Sequence, residues 1–83
     1  MKEELTLPRV GSSMEEGTIV AWKVKVGEAF TTGQPIYDLE TDKVTMEMEA
    51  QVNGTLLEIV VAEGDNAEVG QTIAVIDRKH SDV

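Results

Sequence analysis

Lys43 stands alone in the middle of Tyr37 to Glu49, Y-D-L-E-T-D-K-V-T-M-E-M-E, a stretch with five acids and no second base. A lysine in a turn is usually a solvated charge, but one held out by itself is also where this chain's chemistry is expected. There is no cysteine to act as nucleophile or thiolate ligand, and the only histidine, His80, lies near the C-terminus without an orienting partner. No catalytic residue is expected. Glu40, Glu47 and Glu49 form a spaced acidic face and lack a ligand loop, so no metal site is expected either.

The support for Lys43 follows from alternation on both sides of Asp42-Lys43, which predicts a β-hairpin closed by a two-residue turn. Thr41 then faces Val44, Leu39 faces Met46 and Tyr37 faces Met48 on a packing side, with Met46 and Met48 as core or gap fillers. Asp38, Glu40, Thr45, Glu47 and Glu49 take the other side. Asp-Lys lacks the glycine or asparagine of a type I′ turn, so a type I turn with an outward splay at Lys43 is expected.

Leu5-Thr6-Leu7 before Pro8 reads as a brief edge strand, and Gly11 to Gly17 as a surface loop that Met14 plugs onto the core. The β-branched run Thr18 to Val26 reads as a strand ending with Val24 and Val26 inward and Lys23 and Lys25 outward. Ile19 and Trp22, its first core candidates, are three apart, which breaks a period of two and predicts a β-bulge. Trp22 is read as packing, not as a ligand platform. Turns follow at Gly27-Glu28 and Thr32 to Pro35, around Ala29 to Thr31, and no ten-residue segment keeps a helical period.

The second half repeats the first at an offset of 37: Gly17-Thr18-Ile19 falls on Gly54-Thr55-Leu56, Gly27 on Gly64, Gly33 on Gly70, Trp22 on Ile59, Leu39 on Ile76. Neither copy can bury its apolar face alone. The predicted fold is therefore all-β, a flattened barrel or sandwich of two four-stranded antiparallel sheets with internal two-fold pseudo-symmetry and the lysine at a hairpin tip. The offset maps that tip onto Thr6 on one side and Lys79-His80 on the other, which sets Lys43 on the edge opposite the chain ends. From Arg78 the sequence has left the repeat; residues 1–78 are read as the domain and 79–83 as the start of a polar linker or tail.

At 83 residues there is sequence for one core, resting on packing without disulfides. A net charge of -9 makes nucleic acid and anionic membranes poor partners. No apolar run approaches the length of a spanning helix.

The segment Glu40-Thr41-Asp42-Lys43-Val44, with Pro8, Gly11, Met14, Glu16 to Ile19, Trp22, Gly27, Gly54 and the Gly64 and Gly70 turns, resembles a lipoyl domain of the acyltransferase component of 2-oxo acid dehydrogenase complexes, in the biotinyl/lipoyl attachment family. The resemblance runs from about Leu5 to Asp77. It implies lipoic acid amide-linked to Lys43 by a lipoate ligase or lipoyl transferase, with Glu40, Thr41, Asp42, Val44, Gly27 and Gly54 read by that enzyme. It further implies a carrier without catalysis of its own: a swinging arm reductively acylated by a thiamine-dependent decarboxylase, delivering to coenzyme A at an acyltransferase domain and reoxidised by dihydrolipoamide dehydrogenase. Gly11, Ser12, Ser13, Met14 and Glu15 become candidate contacts for the decarboxylase, and a monomer is expected. Bacterial cytoplasm is the favoured location, or the mitochondrial matrix for a processed eukaryotic fragment. Two alternatives stand beside it: a biotin carboxyl carrier, whose tip normally sets methionine on both sides of the lysine, and an unmodified binding module. The owning complex stays open among pyruvate, 2-oxoglutarate, branched-chain and acetoin dehydrogenases.

Overall fold

The structure is a computed structural model and describes residues 1–79. Eight strands follow in order: β1 (Lys2–Thr6), β2 (Glu16–Trp22), β3 (Ala29–Phe30), β4 (Pro35–Glu40), β5 (Thr45–Glu49), β6 (Gly54–Ile59), β7 (Asn66–Glu68) and β8 (Thr72–Arg78). They form two antiparallel sheets, ordered β1-β8-β6-β3 and β5-β4-β2-β7. Among the described residues no ladder joins the sheets, so the barrel alternative gives way to a flattened sandwich. Its extents of 39 × 24 × 18 Å leave room for two layers about 10 Å apart and no third.

The repeat is realised strand for strand. β2, β3 and β4 recur 37 residues later as β6, β7 and β8, and the two sheet orders superpose with β1 in the place of β5. Even the irregularities recur. The predicted bulge between Ile19 and Trp22 falls between Ile19 and Ala21, and its copy falls between Leu56 and Glu58. Each bulge turns one apolar side chain outward, leaving Val20 43% and Leu57 41% exposed. A second pair of register shifts skips Ile36 and Ile73, so that Ile36 with Tyr37, and Ile73 with Ala74, are buried as neighbours. The core draws on both copies: Leu7, Val24, Ile19, Leu39, Ile73 and Ile76 are its largest fully buried side chains. Burying each contributes roughly 1.5 to 3 kcal/mol.

Four sequence expectations are corrected. The strand predicted to run to Val26 stops at Trp22, because the chain bends at Lys23 into the turn that needs Gly27 at φ +91°; Val24 is buried but Val26 is 57% exposed. The first strand begins earlier, at Lys2, since pairing with β8 carries even charged residues into the ladder. Arg78 is the last residue of β8 and so belongs to the repeat. The tip does not map onto Thr6: Glu3 opposes Ile76 as Met46 opposes Leu39, so Met1 stands where Val44 does. The loop before β2 is longer than its counterpart, which the single offset could not register. The expected tail, including His80, lies outside the described residues from position 80 onward; the Lys79 N–H still donates to the Asn53 carbonyl at 2.8 Å.

Candidate functional site: the Lys43 hairpin

β4 and β5 pair in the predicted register, Leu39 with Met46, Tyr37 with Met48 and Asp38 with Glu47. Leu39 and Tyr37 are buried and Met46 and Met48 pack against the core, while Glu40, Thr45, Glu47 and Glu49 are exposed. Val44, assigned to the packing side, is 48% exposed instead, because the sheet has run out beneath it. The hairpin is anchored at its base by Tyr37, whose ring lies 5.1 Å from that of Trp22. Burial pushes the Tyr37 phenol up to about 12. Trp22 is a packing residue here, its indole N–H donating to the Val61 carbonyl at 2.9 Å.

A second brace crosses the outer face. Lys23 lies 3.5 Å from Asp38 and 3.4 Å from Glu47, tying β4 and β5 to the end of β2. The hydrogen bond that Lys23 donates to Glu47, and next the charge of Asp38, raise the Lys23 ammonium above its ordinary value. Lys43 differs. It is exposed, and no carboxylate among the described residues lies within ion-pair distance of its Nζ.

The turn carrying Lys43 has no residue of positive φ, which excludes a type I′ geometry and agrees with the expected sign. Its closing bond is unusual. The Thr41 N–H donates to the Val44 carbonyl at 2.8 Å, but the Val44 N–H donates to Thr41 Oγ1 at 3.1 Å. The Lys43 N–H donates to the same oxygen at 3.3 Å.

Beside the tip opens a cleft of about 470 Å³ between the β1–β2 loop and the end of β4. Ser13, Met14 and Glu15 line it together with Glu40, Thr41 and Asp42, so two of the predicted groups do meet. Gly11 and Ser12 stay outside it in an exposed turn, where the Gly11 carbonyl accepts from the Met14 N–H at 3.1 Å. Met14 is the plug that was expected, 9% exposed, with its sulfur accepting from the Val10 N–H.

Gly27 and Gly54 are elsewhere. Gly54 is in β6, in the sheet that does not carry the tip, and the Gly27 N–H donates to Leu56 of the same strand at 2.7 Å. Both have structural reasons to be glycine: Gly27 has positive φ, and a Cβ on Gly54 would sit 2.6 Å from the Asp77 carbonyl oxygen. The glycine that does lie at the tip is Gly17, whose Cβ would meet Leu39 Cδ1 at 2.7 Å and the Glu40 carbonyl at 3.2 Å. Gly17 lines the cleft with Glu16, Thr18 and Asn66, none of them singled out from the sequence as site residues. The repeat held the signal, since Gly17 is the copy of Gly54.

The fold and tip define the class of small two-sheet domains that hold one lysine out on a hairpin. The chain belongs to the biotin–lipoyl attachment family: the family model described as "Biotin-requiring enzyme" matches residues 3–76. Within that family it is a lipoyl domain. The solution structure of the lipoyl domain of the 2-oxoglutarate dehydrogenase complex from Azotobacter vinelandii is 37% identical, covers 88% of this chain and 92% of that one, and superposes with a TM-score of 0.72. The dihydrolipoyllysine-residue succinyltransferase component of the 2-oxoglutarate dehydrogenase complex of Staphylococcus saprophyticus is 44% identical over 73 residues, 88% of this chain and 17% of that protein. The acetyltransferase component of the pyruvate dehydrogenase complex of Rhizobium meliloti is 40% identical over the whole chain and 19% of its own length. The chain thus spans less than a fifth of these two acyltransferase components. A single-chain long-chain acyl-CoA carboxylase, at 19% identity and a TM-score of 0.76, shares the fold alone.

Proposed function

We infer that Lys43 is the lysine that carries lipoic acid in amide linkage, and that the domain works as an acyl carrier of a 2-oxo acid dehydrogenase complex. The observation that carries this reading is the place of Lys43: exposed at the tip of the β4–β5 hairpin, on a turn fixed by its own hydrogen bonds. A ligase needs an amine that is free to leave its surroundings and a rigid frame that can be grasped around it. The other groups would serve that frame. Glu40, Asp42 and Val44 present distinct side chains beside the lysine for the ligase to read, Thr41 fixes the backbone between them, and Gly27 and Gly54 act through the sheet and not by contact.

These residues fit the group, since Lys43 is exposed and its amine has no hydrogen-bond or ion-pair partner among the described residues. Lipoate, when bound, supplies a dithiolane that accepts an acyl group with reduction and passes it to coenzyme A. The domain's share is to hold Lys43 clear of the sandwich and to offer Ser13, Met14 and Glu15 beside it as contacts for a thiamine-dependent decarboxylase. A catalytic acyltransferase domain and dihydrolipoamide dehydrogenase complete the set of partners. Biotin is disfavoured because Asp42 and Val44, not methionines, flank the lysine.

Co-expression with a lipoate ligase, and separately with a biotin ligase, followed by intact mass measurement, tests the reading. A lipoyl increment is expected in the first case only, and Lys43→Arg should abolish it while the fold persists. Lipoylation that survives in Lys43→Arg would overturn the assignment. Reductive acylation of the modified domain by each purified decarboxylase then identifies the complex.

A further inference from the structure

The two ends of the sandwich supply an internal control for the tip. At the chain-end side, Arg78 and Met1 occupy the places of Thr41 and Val44 and pair in the ordinary way: the Arg78 N–H donates to the Met1 carbonyl at 2.7 Å, and the Met1 amino group donates to the Arg78 carbonyl at 3.0 Å. At the tip the first bond is kept and the second is not. The Val44 N–H turns to the Thr41 hydroxyl, which also accepts from the Lys43 N–H and donates to the Val44 carbonyl at 3.2 Å. One donor and two acceptor positions are all a hydroxyl has, and all three are used on the tip.

We propose that Thr41 is a positioning residue for modification, its hydroxyl clamping the backbone of Lys43 and Val44 so that the ligase meets a preset tip. Asp-Lys has neither glycine nor asparagine to make a tight hairpin turn conformationally easy. The hydroxyl takes over that task, reaching an N–H, that of Lys43, which an ordinary two-residue turn leaves to solvent. A clamp of this kind acts before encounter. A tip that is only fractionally in the recognised conformation weakens apparent binding by that fraction and leaves the chemical step alone.

The proposal rests on Lys43 being lipoylated, and two readouts keep the failures apart. In Thr41→Val, which keeps the shape and removes the hydroxyl, solvent exchange of the Lys43 and Val44 amides measured by NMR should speed up roughly five- to tenfold, the loss of a net hydrogen bond. The buried amides of Ile19 and Leu39 should keep their rates. The same variant should show a higher KM for the domain as substrate of lipoate ligase, raised by the factor by which the closed fraction of the tip falls, with kcat changed less than about twofold. Thr41→Ser, which restores the hydroxyl, should return both readouts most of the way. Tip amides that exchange at wild-type rates in Thr41→Val overturn the clamp, and faster amides with an unchanged KM overturn its role in modification. A wild-type domain that accepts no lipoate would remove the reading of Lys43, and the exchange comparison would still decide whether Thr41 holds the turn.

Discussion

The Lys43 end and the chain-end side of the sandwich share one backbone plan and differ in what closes it. At the first, a continuous turn joins β4 to β5; at the second, β8 and β1 are paired but not joined, and Met1 bonds to Asp77 and Arg78. Each has an open cleft, about 470 Å³ and 570 Å³. Four carboxylates, Glu15, Glu16, Glu40 and Asp42, line the first, while the Met1 amino group, Arg78 and Lys79 sit at the second. Among the described residues the pseudo-symmetry therefore gives one hairpin tip and not two: at the equivalent position Arg78 and Met1 are paired but not joined by a turn.

Pairs of positions 37 residues apart allow that comparison to be broken deliberately. The largest effect is expected at Gly54 against Gly17. A Cβ at Gly54 meets the Asp77 carbonyl oxygen, a backbone atom that cannot move without displacing β8, so Gly54→Ala should cost about 3 kcal/mol in denaturant unfolding. Gly17→Ala meets first the end of the Leu39 side chain, which can rotate, and should cost about 1 kcal/mol. Equal costs would mean that the two halves yield alike.

Tyr37 and its copy Ala74 give the next contrast. The unfolded chain releases the phenol proton near pH 10, whereas the folded chain keeps it to about 12. Between those values the unfolded state binds fewer protons, so stability is fully present below pH 10 and falls as pH rises through the window, by roughly 2 kcal/mol. Urea titrations of wild type and Tyr37→Phe should diverge only there; parallel curves would contradict the burial argument. Smaller still is Trp22 against Ile59. Trp22→Phe removes the donor to the Val61 carbonyl and should cost about 1 kcal/mol, read as a shift in the urea midpoint, with lipoylation unaffected.

The hairpin register, both sheets and the first bulge were legible in the sequence because a period of two, a break in it and a repeat of glycines are all local signals. Leu39 opposite Met46 needed only the position of the turn. What could not be read was whatever depends on loop length or on side chains crossing between segments. The long β1–β2 loop hid the match of Met1 to Val44, and the place of Asn66 beside the tip follows from pairing of β7 with β2 across 48 residues, Thr18 to Asn66. Thr41 was legible as a motif residue but not as a clamp, since a hydroxyl's partners are set by geometry. Gly27 and Gly54 show the converse: they entered with the tip residues as groups that a modifying enzyme reads, and the fold sets Gly54 in the sheet without the tip and Gly27 in a turn bonded to it, for reasons of close approach and backbone strain.

The central claim is that one of five lysines, Lys43, is singled out by the tip that carries it. Fragment-resolved mass spectrometry of the domain after co-expression with a lipoate ligase tests it directly. The account predicts the whole lipoyl increment on Lys43 and none on Lys2, Lys23, Lys25 or Lys79; an increment on any of those four, or an unmodified Lys43 in ligase-competent cells, would contradict it.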